Sequence, residues 1–372
     1  MKAQFISIVS AVLVVCATSS ATTTTIHVAP ANTHNFVQTG SLQQPFLSLE
    51  AARDYLRSPQ SNKNSTRIVQ ISGTHYLTQT FALDARDSGT ATYPITYQGD
   101  ANTSLFGGIE IPASSFQPVL GKPNVYVANL LSIPELNRTS LGSLGNPYPK
   151  AKMELFYGTQ QQPMTLARDP NIGDDVQKTW KWVGYENMTG LLSPNATHAF
   201  GFDDANTATK WMNSMSMDKQ RNETESMWLH GYFKFDWRDT YVRVSSIAPS
   251  AANSSLFTVT TDAATPPQYP YQKGTRFYAV NSLGLLDAPG EYYISSATGQ
   301  LYFYPPSHGA GVTERVVVSV LKQVVTLTNA KHVTFEKLIM STSQNEVVTI
   351  HDSEAIELTT STISNAGNNL IL

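Results

Sequence analysis

Two carboxyl groups flanking a sugar linkage can hydrolyse it, with retention at about 5 Å apart and inversion at about 6.5–9.5 Å. In the last part of this 372-residue chain, Glu336 and Glu357 are the acidic pair that could meet in this way. Flat aromatic rings are the second group of interest, because they stack on pyranose faces and otherwise fill cores with the large area they bury. All five tryptophans, Trp180, Trp182, Trp211, Trp228 and Trp237, lie in the middle of the chain. A core of their own is the simpler reading for the set. Trp237, flanked by Asp236, Arg238 and Asp239, is the best placed to meet a sugar, with Asp236, Trp180 and Trp182 completing the candidate glycan-binding residues. Metal chemistry finds no pattern. The eight histidines show no zinc spacing. Asp174-Asp175 and Asp203-Asp204 lack the further oxygen ligands a calcium site needs. His351 beside Asp352 is explained by a corner hydrogen bond, and no cofactor is expected.

The elements that would position these groups are legible in a repeat of 23 positions near the end of the chain. Val325 falls over Val348 and Ile371, Leu327 over Ile350, Val333 over Ile356, Phe335 over Leu358, and Met340 over Ile363. Within each copy the apolar residues are two apart, which is the strand period. Short strands recurring at this interval describe a solenoid whose coils bury their faces against one another. The β-branched content and the lack of a helical stretch favour a right-handed parallel β-helix over a leucine-rich repeat. Stacked residues on adjacent coils lie about 4.8 Å apart, so the register tests the carboxylates. Glu336 falls over Thr359, Thr334 over Glu357, Asn329 over Asp352, and Glu346 over Asn369. Lys331 over Glu354 predicts an ion pair, and Asn345 over Asn368 a stacked turn. No two carboxylates stack. Glu336 and Glu357 could meet only diagonally, and outward solvated charge is the simpler reading. The chain stops at Leu370-Ile371-Leu372, the start of a new coil. That leaves the expectation of a C-terminally truncated solenoid.

Upstream, residues 1–21 read as a secretory signal peptide, with Lys2, an apolar run too short to span a bilayer, and small residues before a cut. Seven Asn-x-Ser/Thr sequons, at Asn64, Asn102, Asn137, Asn187, Asn195, Asn222 and Asn253, suit a secreted glycoprotein. The only cysteine, Cys16, lies in the leader, so the mature chain is expected to form no disulfide. A hydrophobic content of 41% with 14% charged residues predicts a packed globular chain. A formal charge of −3 without a basic run gives no reason to expect nucleic acid, and no later stretch reads as a transmembrane helix. Residues 22–111 read as a capping helix, with Ser48 as N-cap, followed by the first coils. Residues 112–306 lose the rhythm and read as a β-rich insertion, with long loops expected over 171–225. Residues 307–372 read as resumed coils, beginning near Val316.

Several segments resemble secreted β-helix proteins of the pectate-lyase-like superfamily. They include Pro45-Phe-Leu-Ser-Leu-Glu-Ala-Ala-Arg-Asp54, Gly73-Thr-His-Tyr-Leu77, Asp87-Ser-Gly-Thr90 before Pro94-Ile-Thr-Tyr97, Leu105-Phe-Gly-Gly108 and Leu166-Ala-Arg-Asp-Pro-Asn171. Arg276-Phe-Tyr-Ala-Val-Asn281, Leu286-Asp-Ala-Pro-Gly-Glu-Tyr-Tyr293 and Thr298-Gly-Gln-Leu-Tyr-Phe-Tyr-Pro305 are similar to the insertion of glycoside hydrolase family 141 and related β-helix glycosidases. The chain departs from that pattern at Ile294-Ser295, where relatives often carry an acidic residue. The resemblance implies an all-β secreted glycosidase acting on a plant- or algal-type polysaccharide, with its catalytic carboxylates further along the helix, beyond Leu372; a monomer is expected when the chain is complete. A non-catalytic glycan-binding or surface-adhesion scaffold is the alternative reading, and a polysaccharide lyase the third.

Overall fold

The computed structural model describes residues 22–30, 37–100, 102–142, 144, 152–173, 184–185, 188–191, 197–223, 226–251, 253, 255–306 and 311–372. The leader expected at residues 1–21, the aspartates Asp174-Asp175 and the candidates Trp180, Trp182, Asn187 and Asn195 lie outside the described residues. The protein is mostly β, with two α-helices, Leu49–Arg57 and Ala205–Gln220, among the described residues.

Three parallel sheets are built from strands that recur in one order along the chain. The first holds Thr23–Val28, Thr66–Ile71, Ile95–Gln98, Lys331–Glu336 and Glu354–Thr359. The second holds Thr74–Tyr76, Ser104–Phe106, Ile339–Ser343 and Thr362–Ala366, and the third Phe81–Leu83, Val325–Thr328 and Val348–His351. The strands pair in the 23-residue register. Val325 lies opposite Val348, which bridges to Ile371; Phe335 faces Leu358, and Met340 faces Ile363. Strand alternation turns one face of each sheet inward. Ile26, Val69, Tyr97, Phe335 and Leu358 thereby form one column, in which the Tyr97 and Phe335 rings stack at 5.2 Å and 14°. Full burial of Phe335 alone is worth about 1.5–3 kcal/mol.

The corners repeat as well. Asn329 and Asp352, His332 and Ala355, Lys337 and Thr360, and Thr342 and Asn365 all have φ between 48° and 69°, each pair 23 residues apart. At the corner after Ile95–Gln98 the backbone comes too close for any side chain: a Cβ on Gly99 would lie 2.2 Å from the Lys337 carbonyl oxygen. The helix Leu49–Arg57 is capped by Ser48, whose hydroxyl accepts from the Ala51 N–H at 3.1 Å, and it buries Leu49, Ala52 and Leu56 in the core of the parallel sheets.

Between Phe106 and Val325 the chain leaves these three sheets. Gly108–Ile111 runs out beside the returning Val316–Ser319, antiparallel to it, in a four-stranded sheet. The expectation that coils resume near Val316 is therefore corrected: parallel stacking resumes at Val325. Alternating apolar residues give a strand but not its direction, and Val316–Ser319 reads the same either way. A five-stranded and a seven-stranded sheet complete this middle region. A second correction concerns residues 171–225, where long loops were expected and the helix Ala205–Gln220 is found. Its N-cap Asp204 accepts from the Thr207 N–H at 3.0 Å, and its buried residues are Thr207, Ala208, Trp211, Ser214 and Asp218. That inner face is at helical spacing but mostly small or polar, so no apolar stripe marks it.

Candidate functional site

The seven-stranded sheet places Arg276–Val280 beside Trp228–Tyr232, which is joined to Thr240–Pro249 by the loop 233–239. One face of these strands carries Leu229, Val242, Phe277 and Ala279 into the core that holds Trp211. The opposite face therefore presents Trp228, His230 and Tyr232, with Tyr278 and Tyr241 registered on either side of His230. Both imidazole nitrogens are engaged: Nε2 donates to Asp239 Oδ2 at 2.7 Å, and Nδ1 meets the Tyr278 hydroxyl at 2.6 Å. The imidazole stacks on Tyr241 at 3.9 Å and 7°. The His230 hydrogen bond holds the Asp239 carboxyl below the usual carboxylate range, while burial pushes the Tyr278 phenol up.

Asp239 thus anchors the far end of the 233–239 loop, and buried Phe233 anchors the near end. Between them a turn, in which the Arg238 N–H donates to the Phe235 carbonyl at 3.1 Å, lifts Trp237 into solvent. Trp237 is 70% exposed, against 0% for Trp211 and 3% for Trp228. Its indole stacks on Phe235 at 5.2 Å and 12°, and Tyr269 meets both rings edge-on. Asp236 accepts from Arg276 Nη2 at 2.6 Å, and Gln268 accepts from Arg238 Nε. The result is an exposed aromatic shelf fixed from several sides, so that little side-chain freedom remains to be lost on binding. Pyranose stacking with hydrogen bonds from the shelf's polar rim is what such a surface can do.

The candidate carboxylates sit elsewhere, on the outward face of the first parallel sheet. Thr334 pairs with Glu357 and Glu336 with Thr359, so the two glutamates are diagonal neighbours. Diagonal positions of this kind are about 7–8 Å apart at the backbone. Glu336 is committed locally, accepting from Gln98 Nε2 at 3.0 Å and pairing with Lys337 at 3.0 Å, while Glu357 is exposed. Lys331 pairs with Glu354 at 2.8 Å. A second carboxylate cluster holds the middle region together. Asp169 accepts from Tyr185 Oη and Trp211 Nε1 at 2.8 Å each, and from Lys210 at 2.5 Å, which also reaches Asp287 at 3.3 Å. Glu291 accepts the backbone N–H groups of Arg168, Asp287 and Ala288 at 3.1–3.2 Å. Burial pushes its carboxyl up to about 7. At 3% exposure, with both oxygens occupied, it fixes two loops and reaches no solvent-borne ligand. No group of three or more His, Cys, Asp or Glu side chains suited to a metal ion occurs among the described residues.

The sequons at Asn64, Asn102, Asn137, Asn222 and Asn253 are all exposed. Sequence reasoning singled out Trp237 and Asp236 but missed Phe235 and Tyr269, which pack on Trp237, and the His230–Tyr278 pair, which ties down Asp239 at the end of the loop. Trp228, His230 and Tyr232, spaced two apart, were the available signal for a polar aromatic strand face.

No protein-family model matches the chain, and no curated protein matches it. Among solved structures, one described as a glycoside hydrolase superposes with a TM-score of 0.64 at 16% identity, covering 92% of this chain and 62% of that one. The chain therefore spans less than two thirds of that structure, and the likeness is one of fold. A second, described as the complex of XylC with xylose, aligns with a TM-score of 0.34 at 11% identity, over 88% of this chain and 42% of that one.

Proposed function

We propose that this is a secreted, carbohydrate-active protein of glycosidase-like fold, and that residues 22–372 hold a plant- or algal-type polysaccharide on the Trp237 shelf. In this reading the three parallel sheets are the faces of a right-handed parallel β-helix with about 23 residues per coil. The leader pattern of residues 1–21 and the exposed sequons support secretion. The observation that carries the glycan reading is Trp237 itself, a ring left 70% exposed while contacts with Phe235 and Tyr269 fix its orientation. A large apolar ring kept in water on a rigid mount gains its burial only when a ligand covers it.

The test is glycan binding by the purified chain, read by affinity electrophoresis or calorimetry on xylan-type and fucosylated polysaccharides. Trp237→Ala is expected to weaken binding by about 2 kcal/mol, near thirtyfold. The substitution is on the surface, so stability should change by no more than about 0.5 kcal/mol. Unaltered affinity would remove the shelf from the function.

A second reading, hydrolysis, is favoured by one observation: Glu336 and Glu357 share an outward face on adjacent strands. Release of reducing sugar by this chain, abolished by either E336Q or E357Q, would establish it. Activity surviving both changes would exclude the pair.

A further inference from the structure

Beside the Trp237 shelf lies a second feature that stacking on a neutral sugar leaves unexplained. The Gln272 N–H donates to the Phe233 carbonyl at 3.0 Å, which draws the 271–275 turn against the start of the 233–239 loop. The two segments wall a cavity of about 530 Å³ lined by Lys234, Lys273, Arg276, Asp236, Gln272 and Thr275, among others. Three cations thus face one carboxylate, in a chain whose formal net charge is −3. Arg276 is held in place by Asp236 and lies 5.6 Å from the Tyr232 ring centre, and Lys234 lies 5.0 Å over the Phe235 ring that supports Trp237. Lys234 and Lys273 are both exposed. Gathering like charges around one concavity is unfavourable until an anion enters it, and the cavity walls concentrate the resulting field.

We propose that this cavity takes the anionic substituent of the polysaccharide, the carboxylate of a uronic acid or a sulfate ester, while the adjoining Trp237 ring carries the sugar face. This inference rests on the glycan-binding reading and narrows it to acidic polysaccharides. The cations are placed to select a charge. Because they are exposed to water, the selectivity is modest and should fade with salt.

Binding of the secreted chain would be compared on three probes: a neutral arabinoxylan, a uronate-bearing polygalacturonate and a sulfated galactan, each at low and high ionic strength. At low salt, one or both anionic probes should bind about tenfold more tightly than the neutral one. That advantage should shrink at high salt, and K234A/K273A should bring the anionic probes down to the neutral level. The arm that wins identifies the anion as carboxylate or sulfate. Equal affinity for all three probes, or a double variant that keeps the anionic preference, would overturn the assignment and leave the glycan reading standing. Failure to bind any probe would overturn both.

Discussion

Glu291 shows how far a single carboxyl can depart from its solution behaviour without touching a ligand. It is 3% exposed, and burial lifts it to about 7 from an ordinary value of 4.5. Between those values the folded protein holds a proton that the unfolded chain has released. Its contribution to stability is therefore complete below about pH 4.5 and lost as the pH rises through about 7. E291Q should flatten the fall in Tm between about pH 4.5 and pH 7, even if it lowers Tm overall by disturbing three backbone hydrogen bonds. A variant with the same pH slope as the parent would mean that the carboxyl is ionised throughout. Trp237 lies at the other extreme, 70% exposed on a mount of aromatic neighbours.

At the scale of elements, the corners decide how strands stack, and two glycine exchanges there should move stability in opposite directions. Gly99→Ala puts a Cβ against the Lys337 carbonyl at 2.2 Å and is expected to destabilise by about 1–3 kcal/mol. Thr360 is exposed at φ 50°, a region β-branched residues avoid, so Thr360→Gly is expected to stabilise by up to about 1 kcal/mol. Chemical denaturation of both variants measures the pair, and a destabilised T360G would show that its side chain contributes more than its backbone strain removes. These corners also mark the limit of what the sequence revealed. Val325, Leu327, Val333, Phe335 and Met340 announced their partners because burial imposes an apolar type at each position. The corner residues His332, Lys337 and Ala355 share a conformation rather than a chemistry, so their alignment carries no visible signal. The helix Ala205–Gln220 was hidden for a related reason, its buried side being built from Thr, Ala, Ser and Asp around one tryptophan.

Across the whole molecule, the described surface presents five sequons and no cysteine. If the chain is secreted as proposed, glycopeptide mapping after expression in a eukaryotic host should find glycans at one or more of Asn64, Asn102, Asn137, Asn222 and Asn253, and dithiothreitol should leave Tm unchanged. Empty sequons throughout, or a reductant-sensitive Tm, would contradict the secretory reading. At this scale the candidate site was legible only in part. Trp237 and Asp236 could be picked out by type and neighbourhood. Tyr269 and Arg276, which fix them, reach the shelf from strands and turns more than thirty positions away, as the Arg276–Asp236 bond does, and no local pattern encodes a contact of that separation.

The antiparallel pairing of Gly108–Ile111 with Val316–Ser319 has a consequence for the order in which the chain can fold. Thr80 donates to the Gln323 carbonyl across 243 residues of sequence, so the third parallel sheet joins segments made far apart in time. Closing a flexible loop of that length costs only about 2 kcal/mol more than closing one a tenth as long, but the search is slow. Once the middle sheets have formed, their first and last strands stand side by side, and the remaining closure is as local as a hairpin. The middle region then holds together the parallel strands that precede and follow it in the chain. A lesion buried within it would be felt where Ile95–Gln98 meets Lys331–Glu336 and Phe81–Leu83 meets Val325–Thr328, the seams that join segments more than 230 residues apart.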